Sequence, residues 1–281
     1  MAAGDKNYPN IFGMSYNSAR DELILADNVN NVVFSMRVGD TAGDLRDVYR
    51  VSLSSLVYSV CYMSYSDTLL VCSGEYGLDK RLGKWLVALS RNRSEWREAH
   101  RVQTDVELVF HGHISGPLSG SRVLIGEYSS KRMELFPVEI GPRIGHVHRI
   151  NVPEKYFSFS ATSGSDTLVA MCYFDHSVRV HRLLGDELQE LAHIQLKAPN
   201  NLLWLADRLL VADFDNHKNS LAVIELELSD TRLERRGELI AISEQIRVSS
   251  LCAVKDGLAI FDLNSRDILH YSFFSTLPLS H

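Results

Sequence analysis

Two H-x-H pairs, His111-Gly112-His113 and His146-Val147-His148, are the residues of this 281-residue chain whose spacing most directly suggests chemistry. On a β-strand, positions i and i+2 share one face, so two imidazoles could hold the same zinc ion. Zinc also needs a third and a fourth ligand, and the sequence nominates neither; histidines on polar strands are the simpler reading. Four acids, Asp27, Glu127, Asp213 and Asp262, form a second set, each closing an apolar run just before a turn. Around one rim they could bind a cation or a basic peptide. A carboxylate beside free backbone N–H groups more readily caps its own turn, and capping is the expectation here. No G-x-S-x-G, no P-loop and no H-E-x-x-H occurs. The usual nucleophile, phosphate and zinc-protease arrangements are therefore missing, and neither a metal nor a cofactor is expected.

The elements that must position these residues recur. An apolar run appears as Asp21–Asp27, Asp67–Ser73, Ser121–Glu127, Asp166–Cys172, Asp207–Asp213 and Asp256–Asp262, at intervals of 41 to 54 residues. That interval suits one four-stranded propeller blade. Each run leads through a turn to a partner: Asn31–Val38, Gly83–Ser90, Lys131–Val138, His176–Leu183, Asn219–Leu226 and Arg266–Phe273. Two β-rich runs joined by an Asp/Asn-rich turn read as a hairpin. Small, apolar innermost strands are expected at Ile11–Tyr16, Leu56–Met63, His113–Leu118, Tyr156–Ala161, Leu202–Leu205 and Val248–Val254. Outer strands alternate polar and apolar at Leu45–Leu53, Glu95–Val102, His146–Val152, Leu188–Leu196 and Leu233–Ile242. The sixth outer strand must come from residues before Pro9, from Phe274–His281, or from nothing.

The pattern predicts an all-β chain: a six-bladed β-propeller of four-stranded antiparallel blades around a central channel. A single domain covers residues 1–281, with blades at approximately 8–54, 55–105, 106–153, 154–198, 199–244 and 245–281. Apolar residues make up 45% and charged residues 23%, which permits a full core. The net charge of −6 opposes a nucleic-acid footprint without excluding a local basic patch. No basic, apolar leader is visible, and charges interrupt the longest apolar stretches. The expected location is the cytoplasm, with the nucleus as the alternative, and no membrane partner. Cys61, Cys72, Cys172 and Cys252 fall inside strands without C-x-x-C spacing and read as buried small hydrophobes.

Residues of blades 1 and 5 carry a resemblance. Leu23, Leu25, Ala26, Asp27, Asn30, Asn31 and Val33, together with LLVADFDNHKNSLAVIEL at 209–226, resemble NHL-type repeats, and more loosely the YWTD and SMP-30-type six-bladed propellers. The likeness implies the propeller fold. Because these families include RNA binders, protein binders and hydrolases, it leaves the function open. No Trp-Asp dipeptide occurs, so the WD40 signature is absent. Pro199-Asn200-Asn201 is similar to the Pro-Asn-Gly at a metal-binding Asn of SMP-30-type lactonases. The early Glu of that family has no counterpart, since blade 1 begins Tyr8-Pro9-Asn10-Ile11.

In a propeller, the turns after the second strands share a face with the loops leading into the innermost strands. The second strands are expected to end in Asp27, Ser73, Glu127, Cys172, Asp213 and Asp262 on that face. The candidate binding residues there are Tyr8, Tyr76, His113, Lys155, Asn201 and Arg247, with aromatic and Arg side chains the types that most often dominate binding energy. The expected function is non-catalytic: binding of a protein or peptide segment at the channel mouth. Two alternatives remain, an RNA-binding NHL-type propeller and a metal-dependent hydrolase or lactonase at the same mouth.

Overall fold

Six antiparallel sheets stand in a ring about one axis, each built from consecutive strands of the chain. The computed structural model describes residues 10–37, 47–50, 55–75, 84–92, 95–104, 112–118, 121–127, 131–139, 143–215, 220–229, 232–242 and 246–272. Blade 1 comprises β1 (Ile11–Asn17), β2 (Glu22–Asp27), β3 (Val32–Arg37) and β4 (Asp47–Arg50). Blade 2 comprises β5 (Ser55–Met63), β6 (Thr68–Glu75), β7 (Lys84–Asn92) and β8 (Glu95–Gln103). Blade 3 holds β9 (Gly112–Leu118), β10 (Arg122–Glu127) and β11 (Arg132–Glu139), then β12 (Arg143–Ile144) and β13 (His148–Asn151). Blade 4 follows with β14 (Tyr156–Ser163), β15 (Thr167–Tyr173), β16 (Ser177–Leu184) and β17 (Glu187–Gln195). Blade 5 has β18 (Pro199–Leu205), β19 (Arg208–Asp215), β20 (Ser220–Ser229) and β21 (Arg232–Ile242). Blade 6 shows β22 (Val248–Val254), β23 (Gly257–Asp262) and β24 (Ile268–Ser272). Among the described residues no helix is long and apolar enough to cross a membrane.

All six repeating runs are second strands, and their unbroken apolar character has a packing cause. A second strand is covered on both faces by neighbouring blades, so neither half of its alternation can be polar. In β19, Leu209 and Val211 pack towards blade 4 while Leu210 and Ala212 pack towards blade 6, all fully buried. In β2, Ile24 and Ala26 meet blade 2, whereas Leu23 and Leu25 meet blade 6. The core is therefore six wedges, one at each blade interface. Burying one such Leu or Ile contributes about 1.5–3 kcal/mol.

Several boundaries differ from the sequence pattern, two of them in the outer and innermost strands. The outer edge of blade 3 is not one strand over His146–Val152: β12 and β13 pair in succession with β11. The innermost strand of blade 5 begins at Pro199, ahead of Leu202, because Pro199 aligns with Asp213 on the next strand. Blade 6 shows three strands among the described residues. The two terminal segments considered for its closure, before Pro9 and Phe274–His281, lie outside them.

Among the described residues, turn positions in the left-handed region include His176, Ala206 and Arg266, and four that are short and polar. Asp21, Asn31, Asp67 and Ser121 all have φ between 44° and 58°, a conformation that Asp and Asn adopt more readily than bulkier side chains.

Candidate functional site at the channel mouth

The innermost strands share a local irregularity that shapes the mouth. In β1, β5, β14, β18 and β22 the register slips by one residue near the start of the strand, which places Phe12, Tyr58, Phe157, Asn200 and Ser249 at the bulge. A bulge bends the strand and re-aims a side chain, and it does so repeatedly on the same face here. Blade 3 departs: β9 pairs regularly from Gly112 to Ser115, and its shift falls lower, at the cis Gly116-Pro117 bond.

Asp27 and Asp262 cap their own turns, as expected, and together with Asp213 they staple the loop next to them. Asp27 Oδ1 accepts from the backbone N–H of Asn10 (3.1 Å), Val29 (3.0 Å) and Asn30 (3.2 Å). Asp213 Oδ1 accepts from Ala198 (2.8 Å) and Lys197 (3.2 Å). Asp262 accepts from Arg247 (2.9 Å), Asn264 (3.0 Å) and Ser265 (3.1 Å). In all three blades the carboxylate holds the residue immediately before the innermost strand. Burial pushes the Asp213 carboxyl up, beyond what its donors offset. Burial also pushes Asp262 upward, but its bonds from Asn264, Arg247 and Ser265 outweigh that and hold it below the usual range. The Glu127 side chain lies outside the described residues.

Blade 4 corrects the strand ends by one residue. Tyr173, not Cys172, pairs with Tyr156 in the place where Asp27 pairs with Ile11; Cys172 pairs with Ser158 inside the strand and is fully buried. Arg179 lies 4.2 Å over the Tyr173 ring and 2.7 Å from Asp175, and the Tyr173 hydroxyl is 3.4 Å from His181 Nε2.

Two hollows, of about 520 and 530 Å³, open side by side at the mouth between blades 4, 5, 6 and 1. They share Phe157, Asn200, Arg247, Val248 and Asn264. The first adds Phe174, Phe214 and His176; the second adds Asn10, Phe12, Asn201 and Arg266. Phe157 and Phe174 meet edge to face, with centroids 5.6 Å apart, and Phe174 is 50% exposed. Arg247 is tied through its backbone, since its N–H donates to Asp262 and its carbonyl accepts from Leu263 N at 2.8 Å. Its side chain is exposed and makes no ion pair or hydrogen bond among the described residues.

Of the six candidate residues, the structure brings Arg247 and Asn201 together at the second hollow. The Asn201 amide donates to Val248 O at 3.2 Å, beside Asn200 at 3.1 Å, so it also braces two blades. Lys155 is exposed on the loop before β14 and lines neither hollow. His113 is placed in β9 opposite Gly126, with its side chain outside the described residues; Tyr8 and Tyr76 lie outside them altogether. Phe157, Phe174 and Phe214 escaped the sequence analysis. Their signal was positional: Phe157 is the bulge residue, Phe174 follows the last residue of β15, and Phe214 follows Asp213 near the end of β19.

Below the mouth, a channel of about 350 Å³ runs between the innermost strands. Those strands were expected to be small and apolar. They are small, but polar towards one another. Each innermost strand has a sheet partner on one side only, so N–H and C=O groups on its channel side need acceptors and donors. Tyr62 N donates to Ser15 Oγ (2.9 Å), Ile114 N to Ser59 Oγ (3.2 Å), Ala161 N to Ser115 Oγ (2.6 Å) and Trp204 N to Ser160 Oγ (3.2 Å). The two asparagines join blades 5 and 6, and Ser249 Oγ donates to Ile11 O across the last joint. Every joint of the ring is laced in this way.

The described residues contain no group of three or more His, Cys, Asp and Glu placed to hold a metal ion. His146 and His148 are exposed, and His111 lies outside the described residues. All four thiols are buried and unbridged. Burial pushes Cys61 up to about 12, which keeps it protonated at neutral pH.

No protein-family model and no curated protein matches the sequence. Solved structures match in fold. One is a protein of unknown function from Bacteroides caccae, at a TM-score of 0.60 and 10% identity over 89% of each chain. Another is the soluble aldose sugar dehydrogenase of Escherichia coli in its apo-form, at 0.61 and 9% identity over 93% of this chain and 95% of that one. A third is a streptogramin B lyase, at 0.56 and 11% identity over 94% and 93%. At such identities the likeness concerns the fold alone.

Proposed function

We propose that this propeller is a non-catalytic interaction module that binds a protein or peptide segment at its channel mouth. One observation carries the reading: two adjoining hollows share Phe157 and Arg247, the first is walled by two more phenylalanines, and Arg247 has a fixed backbone and an exposed guanidinium. Buried or half-buried aromatics beside Arg are the side-chain types that dominate binding energy in protein interfaces. Fixing the Arg247 backbone in advance also lowers the ordering cost of binding. An NHL-type repeat family and work in the cytoplasm, or the nucleus, belong to the same proposal. RNA binding would call for Lys and Arg gathered along a track, and the described mouth is mainly phenylalanine and amide.

A second reading, catalysis at the same mouth, is favoured by the likeness in fold to proteins named as a dehydrogenase and a lyase. A pull-down tests the first. Arg247→Ala and Phe174→Ala should lose the partner while remaining folded, whereas Arg97→Ala and Arg236→Ala on the outer edges should retain it. Loss confined to the outer-edge variants would place binding elsewhere.

A further inference from the structure

The hollow between blades 4, 5 and 6 has a polarity of its own, opposite to the net charge of −6. No carboxylate lines either hollow among the described residues. The nearby acids are engaged, Asp213 by Lys197 and Ala198 and Asp262 by Arg247, Asn264 and Ser265. Among the described residues, a cationic ligand would therefore find no free acid lining the hollow. An anionic one meets the exposed Arg247 guanidinium on one side, while Phe157, Phe174 and Phe214 form an apolar wall on the other.

We propose that this hollow receives an aromatic side chain next to a carboxylate, so that the partner segment is an acidic peptide bearing Phe, Tyr or Trp. The proposal rests on the reading of the mouth as a peptide-binding site and names the chemistry of its ligand. A volume of about 520 Å³ admits an aromatic ring with its flanking residues. Phe174, 50% exposed and edge to face with Phe157, adds apolar aromatic surface to the hollow, the kind of surface an aromatic side chain of a ligand packs against. Arg247 presents the planar donor fork that suits a carboxylate. Single-stranded RNA would also use rings and arginine, but its affinity comes from many phosphates along a basic track. This chain is acidic overall, and its described mouth offers two arginines.

The test is selection from a displayed library of random dodecapeptides, followed by fluorescence polarisation of the recovered sequences. Wild type is compared with Arg247→Glu, Arg247→Ala and Phe174→Ala, each checked for an unchanged melt. Recovered peptides should place Asp or Glu beside an aromatic residue. Replacing that acid by its amide, or Arg247 by Glu, should weaken binding about tenfold or more, the scale of a lost charge-assisted contact. Phe174→Ala should weaken the same peptides. Neutral aromatic peptides that depend on Phe174 but not on Arg247 would overturn the carboxylate assignment and leave peptide binding at the mouth intact. Recovery of no peptide, of peptides indifferent to all three variants, or tighter Arg247-dependent binding of oligouridine would overturn both.

Discussion

The Ser249 hydroxyl donates to the Ile11 carbonyl at 2.5 Å, joining the innermost strand of the last blade to that of the first. Beside this bond, Cys252, Val254, Ala259 and Phe261 pack against Ile11, Met14, Leu23 and Leu25. Blade 6 thus meets blade 1 as each of the other blades meets the next, through an apolar wedge and a small polar side chain at the channel.

Ser249→Ala should lower stability by about 1 kcal/mol, the net worth of one hydrogen bond. Ser115→Ala should cost more, up to about 3 kcal/mol, because Ser115 serves both the N–H and the carbonyl of Ala161 and its loss leaves a donor unpaired. Chemical denaturation of the two variants checks the order. A Ser115→Ala protein as stable as the parent would mean that water takes over the hydroxyl's role.

Gly13 marks a close backbone approach of blades 1 and 2. A Cβ built there would lie 2.6 Å from Ser59 Cα and 2.9 Å from Val60 N, and both are backbone atoms that cannot swing aside. Gly13→Ala should force β1 and β5 apart at a cost of about 1–3 kcal/mol, as overpacking does. Gly164→Ala is the control, since nothing lies within 4 Å of its Cβ position. A thermal melt should separate the two variants by several degrees, with the Gly164 variant matching the parent.

His181 gives blade 4 a pH dependence. It is 1% exposed, and burial lowers its pKa below the ordinary histidine value of 6.5, more than the nearby Glu190 charge and a backbone hydrogen bond with Val169 offset. Below pH 6.5 the unfolded chain therefore takes up a proton that the folded chain refuses, so stability falls as the pH drops. Above 6.5 both states are neutral at this position and its contribution is level. Unfolding free energies measured at pH 7.5 and 5.5 should differ less for His181→Gln than for wild type. An equal difference in the two proteins would show that the imidazole charges in place.

The outer edge and the mouth show how far sequence reading reached. All six second strands were legible because burial on both faces leaves an unbroken apolar run, as in Leu209-Leu210-Val211-Ala212. The capping role of Asp27 and Asp262 was legible because the turn residues they bond follow within three positions. Asn10, Ala198 and Arg247, which Asp27, Asp213 and Asp262 respectively hold, are 15 to 17 positions away, beyond what a local pattern reveals. The end of β15 was misplaced by one residue because Cys172 and Tyr173 continue the apolar run and no acid marks its close.

By itself, then, the sequence determined the number of blades and the identity of their second strands, because period and burial are written into residue type along the chain. Tertiary structure alone decided what the innermost strands do with their serines, since Ser15 and Tyr62, or Ser160 and Trp204, meet only when the ring sets neighbouring blades side by side. It also decided the character of the mouth. Phe157, Phe174 and Phe214 look like core residues beside their apolar runs, and only the bulges and the ends of the second strands turn them towards the hollow where Arg247 stands.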